Sequence, residues 1–284
     1  PMTSLQQSMF HHRALAPRDH AYHLQTEIAY HQPLDVAVYR QAWQGQIARW
    51  PALRSELVLA DGVALQRILK HAELPFHYED LSEVGNAEVR VQAYREQDLA
   101  RPIPLEQAPL LRLACFKLAP DHHKVIFSAH HGVLDGWSGP VLLSSLHRGY
   151  QALMNGLLPQ GEPDTAWLEF GRHIASQTRS ADAYWQGRGE LLAKPNDLAC
   201  LFGVTLDAGS SGRHTQQRPA VCATALPAEV ATLLAHRARD LGVTAGLLAL
   251  YAWHRLLARR SGDAVTLVGN VTPGRDYPIE GITA

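Results

Sequence analysis

The chain has 284 residues, 46% of them hydrophobic and 19% charged, a globular composition long enough for one large domain or two lobes of ordinary size. A formal net charge of -1 without a long basic run disfavours binding to nucleic acid, which needs clustered Lys and Arg. The three cysteines, Cys115, Cys200 and Cys222, are far apart and form no CxxC pair, which suggests neither a disulfide framework nor a zinc site and fits a reducing cytoplasm.

The N-terminus lacks a basic region followed by an apolar core, so no signal peptide is expected. Met2-Thr3-Ser4-Leu5-Gln6-Gln7-Ser8-Met9 offers a Thr/Ser cap ahead of helix-tolerant residues. Residues 22–30 alternate as a strand does, and a helix is expected over 35–50 with Val38, Ala42, Gly45 and Arg49 on successive turns. Asp61-Gly62, between apolar runs at 57–59 and 64–69, is a strong two-residue hairpin signal. Residues 86–101 read as a helix charged on one side, and Arg101-Pro102-Ile103-Pro104 ends it because proline removes a donor and clashes with the preceding turn. A strand at 111–118 and its partner at 125–131 are expected to flank a turn at Asp121-His122-His123, whose histidines should be solvated.

The organising stretch runs from Ser128 to Ser138. Lys124-Val125-Ile126-Phe127 reads as a buried strand, and beyond Gly136 the apolar residues Leu142, Leu146, Tyr150 and Leu153 take helical spacing. His130 and His131 therefore stand where a strand ends, before an Asp-Gly turn into a helix. Neighbouring strand side chains point to opposite faces, so one histidine faces the packed interior and the other an open side. A metal site is not expected, because adjacent strand histidines point apart and zinc needs three or four convergent ligands. Ser128 and Ser138 lack the nucleophile-elbow context of a Ser-His-Asp triad.

Asn155-Gly156 and the Pro/Gly-rich stretch to Pro163 form the best linker, dividing the chain into an N-terminal lobe, 1–163, and a C-terminal part, 164–284. Residues 208–213 read as a mobile loop and 220–226 as a strand. A helix over 227–241 should turn Val230, Leu234 and Leu241 inward, with Gly242 at its C-terminal cap. The most apolar segment, 243–258, contains His254 and Arg255, is short for a membrane span and reads as a buried helix leading to a strand at 265–271.

His130-His131-Gly132-Val133-Leu134-Asp135-Gly136 resembles the HHxxxDG signature of the nonribosomal peptide synthetase condensation domain, within the chloramphenicol-acetyltransferase-like superfamily. Other stretches fall in the family's order. The opening Thr3-Ser4-Leu5-Gln6 with Met9 resembles the first core motif. Arg49-Trp50-Pro51-Ala52-Leu53-Arg54-Ser55 resembles the second, with Trp50-Pro51 in place of the usual His-Glu or His-Pro. Arg101-Pro102-Ile103-Pro104-Leu105 with Ala108-Pro109-Leu110-Leu111-Arg112 resembles the stretch that precedes the signature. Thr165-Ala166-Trp167-Leu168-Glu169-Phe170 resembles the fourth motif, followed by Ala183-Tyr184-Trp185. Gly269-Asn270-Val271-Thr272-Pro273-Gly274-Arg275 resembles the start of the fifth, with Pro273 in place of serine. The chain stops within that motif and is expected to be a fragment or an excised piece.

The resemblance implies an α/β (α+β sandwich) fold of two chloramphenicol-acetyltransferase-like lobes, the second incomplete, with His131 at a central cleft. It implies an acyltransferase that forms an amide bond between a donor acyl or peptidyl thioester and an acceptor aminoacyl thioester. In that reading His131 serves the acceptor amine, His130 is structural, Gly136 leaves room at the tunnel, and Trp137 and Ser138 line it. Asp135 holds local geometry through an ion pair with Arg54, although on the residues alone Arg54 reads as a solvated surface arginine. No cofactor is bound directly, since substrates arrive on phosphopantetheine arms of donor and acceptor carrier proteins. An adjacent adenylation domain, no membrane partner and a cytoplasmic location complete the expectation. The alternative is a relative with altered chemistry (epimerisation or dehydration) or a non-catalytic carrier-docking domain. Cyclisation is disfavoured, because that branch replaces both histidines by aspartates.

Overall fold

A computed structural model describes residues 2–17, 19–157, 164–189, 196, 222–272, 274–275 and 277–282. Its contacts group residues 1–177 with 273–284 in one compact unit and residues 178–272 in another. This differs from the expected division at 163, since 164–177 and the last residues go with the first unit; the linker stretch itself, 158–163, lies outside the described residues.

The first unit begins with α1 (Ser4–Leu15), where Thr3 and Gln6 form a reciprocal capping box. Strand β1 (His23–Tyr30) leads to α2 (Val36–Arg49), capped by the Asp35 carboxylate, and a short 3-10 turn (Pro51–Arg54) enters β2 (Ser55–Ala60). β2 pairs with β3 (Val63–Ile68) through Asp61-Gly62, whose φ values of 51° and 77° are those the two-residue hairpin requires. Then come β4 (Phe76–Asp80), α3 (Ala87–Leu99), β5 (Leu111–Ala119), β6 (His122–His130), α4 (Ser138–Met154) and the start of α5 (Ala166–Gln186).

The main sheet has the order β1-β6-β5-β4, antiparallel except for the parallel pair β4–β5. Its two central strands alternate between two apolar layers, as the period of a strand demands. Leu111, Leu113, Cys115, Val125 and Ala129 join the larger core with α2 and α4, while Ala114, Phe116 and Ile126 pack with Val91 of α3 and with Leu81, which follows β4. Helices therefore cover both faces of the sheet. On α2 the buried stripe is Tyr39, Ala42, Trp43, Gln46 and Ile47, rotated from the expected one because the aromatic residues take the core; Trp43 stacks on Phe127 at 5.4 Å. Burying each large apolar side chain contributes about 1.5–3 kcal/mol.

The turn between β5 and β6 is Pro120-Asp121, so His122 and His123 belong to the strand and the expected solvated turn is corrected. His123 is buried opposite Lys117 and Tyr30, and desolvation pulls its pKa down.

In the second unit, α6 (Ala228–Asp240) ends at Gly242, left-handed at φ 66°, and α7 (Ala245–Ser261) is capped by Thr244. Val230 and Leu241 are exposed, and Leu257 is the buried residue of α7, against the expectation of inward apolar faces. Residues 222–226 and 265–271 form no strand; Leu267 exchanges hydrogen bonds with the Asn196 amide instead. The expected loop at 208–213 lies outside the described residues. Among the described residues no single helix is long and apolar enough to cross a membrane.

Candidate active site

β6 ends at His130, and residues 131–137 turn the chain into α4. The backbone of this turn is pinned on several sides. The His130 N–H donates to Leu110 O at 2.9 Å and the His131 N–H to Tyr22 O at 2.8 Å, while the Gly132 N–H donates to Nδ1 of His130 at 3.0 Å. Tyr22 itself sits at φ 68°, uncommon for a residue with a side chain, and its ring meets His12 edge-on at 5.5 Å. His12 in turn is 2.9 Å from the Asp19 carboxylate.

The two histidines divide as the alternation of side chains demands. His130 is buried, and desolvation with the neighbouring His131 lowers its pKa to about 4, so it is neutral and its Nδ1 accepts. His131 is half-buried, and its Nδ1 lies 2.9 Å from Leu134 O. A carbonyl can only accept, so the proton of the neutral ring is on Nδ1 and the lone pair on Nε2. That is the tautomer of a proton acceptor.

Asp135 folds back onto the start of α4. Its Oδ1 accepts the Ser138 N–H at 2.7 Å, the Ser138 hydroxyl at 2.5 Å and Nη2 of Arg275 at 3.2 Å. Burial pushes this carboxyl up, but the bonds from Ser138 and Arg275 prevail and hold it below the ordinary range. Arg275 also bonds Ser138 Oγ and, through Nη1, Ile282 O.

The partner of Asp135 is thus Arg275, and the expected Arg54 pair is corrected. Arg54 donates from Nη1 to Leu69 O at 2.6 Å while its own carbonyl accepts the Leu69 N–H, so the β2–β3 hairpin holds it. Gly136 is exposed, and a Cβ there would meet nothing within 4 Å, so no close approach demands glycine. The crowded glycine is Gly132, where a Cβ would lie 3.0 Å from both His130 Nδ1 and Leu57 Cδ1. Trp137 is 64% exposed beside the turn, and the Ser138 hydroxyl is spent on Asp135. The Ser128 hydroxyl is likewise spent, on buried Asp98.

Sequence reasoning missed Tyr22 and Gln6. Gln6 is buried at the start of α1, and its Nε2 donates to Gly132 O at 2.9 Å. The capping-box spacing marks Gln6 as a helix-start residue but carries no sign of that reach.

The family model described as Condensation domain matches residues 1–283. N-(5-amino-5-carboxypentanoyl)-L-cysteinyl-D-valine synthase of Amycolatopsis lactamdurans is 31% identical over 98% of the chain, which spans 8% of that protein. Chondramide synthase cmdD of Chondromyces crocatus is 31% identical over 88% of the chain, or 6% of that protein. Among solved structures, the first condensation domain of the calcium-dependent antibiotic synthetase shares the fold with a TM-score of 0.67 at 23% identity, over 93% of this chain and 62% of that one.

Proposed function

The chain belongs to the condensation-domain family of the peptide synthetases, and from that premise we propose that it joins two carrier-bound thioesters through an amide bond, with His131 serving the acceptor amine. The observation that supports this role is the Nδ1–Leu134 contact, which leaves the lone pair of the neutral ring on Nε2 in a side chain that is only half-buried. The amine nitrogen adds to the donor carbonyl carbon and the C–N bond forms. The C–S bond then breaks, and the amine proton passes to Nε2 and on to the departing sulfur. A ring whose other nitrogen is already committed needs no tautomer change to take that proton. Buried, neutral His130 serves as a wall of the turn and an acceptor for Gly132.

Asp135, with its oxygen committed to Ser138 and Arg275, holds the turn that carries Leu134, the carbonyl on which His131 rests. Exposed Trp137 offers an apolar wall to the phosphopantetheine arms on which donor and acceptor carrier proteins present their substrates. An adenylation domain in the same assembly and a cytoplasmic setting go with this reading.

The test is His131→Ala in the full-length protein with both carriers loaded. General acid–base help is worth roughly 100- to 10,000-fold, and product formation should fall by that factor while melting and carrier binding stay close to wild type. A variant that condenses at the wild-type rate would overturn the assignment. A wild-type protein that binds both carriers yet epimerises or dehydrates the bound chain would replace amide formation by altered chemistry.

A further inference from the structure

We infer that Gln6 is a positioning residue for His131, and that it acts as the inner link of a hydrogen-bonded chain tying α1 and the β2–β3 hairpin to the histidine turn. This rests on the reading of His131 as the residue that serves the amine.

The chain can be followed atom by atom. The Ser55 hydroxyl donates to Pro51 O at 2.9 Å and accepts from Nε2 of Gln66 at 2.8 Å. Oε1 of Gln66 accepts from Nε2 of Gln6 at 3.1 Å, and the same Nε2 donates to Gly132 O at 2.9 Å. Oε1 of Gln6 accepts the Thr3 N–H at 2.9 Å. Each donor meets an acceptor in one direction only, so the orientation of both amides is determined. Ser55 and Gln6 are buried, and burial makes such bonds hard to exchange for water.

The end of this chain is the residue after His131. Three backbone groups fix the placement of the imidazole: the His131 N–H on Tyr22 O, the Gly132 N–H on His130, and the Gly132 carbonyl on Gln6. The bond from Tyr22 is made by its backbone carbonyl, and His130 belongs to the motif itself. Of these three restraints, Gln6 supplies the one made by a side chain from outside the motif. Without it the Gly132 carbonyl loses its donor, and its peptide can rotate against only the longer bond from the Val133 N–H to His130 O at 3.2 Å. A Cβ-less residue resists that rotation least, and the His131 ring then drifts from Leu134 O. A displacement of about 1 Å at a reacting group can cost about 100-fold in rate.

The experiment compares Gln6→Leu, Gln66→Leu, His131→Ala and Gln6→Leu/His131→Ala in the full-length protein with loaded carriers, reading kcat, KM and melting temperature. Gln6→Leu should lower kcat about 100-fold with KM for both carriers nearly unchanged. In the His131→Ala background it should cost nothing further, because the group it positions is gone; a general structural role would depress both backgrounds alike. Gln66→Leu, one link further out and half-buried, should give a smaller loss of kcat of the same kind, and it decides the matter if Gln6→Leu does not fold. The inference is overturned if Gln6→Leu, or a folded Gln66→Leu, keeps wild-type kcat, or if the Gln6 and His131 losses multiply. If His131→Ala alone keeps the wild-type rate, the assignment of His131 fails instead, and the two failures are told apart.

Discussion

Asp98 and Asp135 are bound by the same kinds of group, an arginine and a serine hydroxyl, yet they sit in opposite surroundings. Asp98 takes Arg112 on one oxygen and Ser128 and Gln25 on the other, and its side chain is 2% exposed. Asp135 gathers Arg275 and Ser138 on a single oxygen and is 42% exposed. In both, burial pushes the carboxyl up and hydrogen bonding overrides it. The buried set joins α3 to the centre of the sheet, with Arg112 also donating to the Asp98 and Arg101 carbonyls. The open set holds only a turn. Identical chemistry is architecture where water is excluded and adjustable scaffolding where it is not.

The sharpest way to break this comparison is Asp98→Ala. It leaves the Arg112 guanidinium buried without its carboxylate, and removing one member of a buried pair costs about 3–5 kcal/mol. Urea unfolding should show that loss; a cost under about 1 kcal/mol would mean the buried set has no more weight than a surface bridge.

Acid comes next. His23, 3.9 Å from Asp98, and His130 both fold with pKa values lowered to about 4, first by desolvation and then by nearby positive charge. Both are neutral in the folded protein, so below pH 6.5 the unfolded chain binds protons that the folded one refuses. Their contribution is whole above 6.5 and drains away as pH falls toward 4, on the order of 3 kcal/mol for each. The two carboxylates, already below their ordinary 3.8, still contribute fully through that window and are lost only at lower pH. Melting curves between pH 7.5 and 4.5 should therefore decline, and a flat profile would show that these imidazoles are hydrated.

The smallest effect on stability belongs to Arg275→Ala. A half-open pair is worth at most about 1 kcal/mol and is screened by salt. Its loss should appear in turnover through the loosened turn, with melting almost unmoved. A melting loss as deep as that of Asp98→Ala would erase the distinction between the two sets.

Much of the site was legible because a strand end, two histidines and an Asp-Gly turn are local features; alternation implies that one histidine is buried and the other open, and the resemblance names His130 as the inner one. Pairings across long stretches of chain were not. Arg275 stands in a recognised stretch, but nothing in its neighbours tells that it crosses to Asp135, and the Arg54 pair that the resemblance implies gives way because the hairpin holds Arg54. His122-His123 beside Asp121 has the polarity of a turn, yet Pro120-Asp121 suffices to reverse the strand and the histidines are drawn into the ladder. The apolar segment around α7 shows the opposite limit: hydrophobicity predicted the helix correctly, whereas its burial depends on what lies against it.

The crowding at Gly132 bears on how this protein can drift through sequence space. In a signature written HHxxxDG the middle letters look interchangeable, and two of them here, Val133 and Leu134, are ordinary apolar residues. The first is not. A side chain at 132 starts with its Cβ 3.0 Å from both the imidazole behind it and Leu57, both buried, so a substitution that a pattern search would accept requires both neighbours to give way by a few tenths of an ångström. A smaller residue at position 57 would relieve one of the two contacts and leave the one with His130, which makes the order of mutations, as much as their identity, part of what this motif permits.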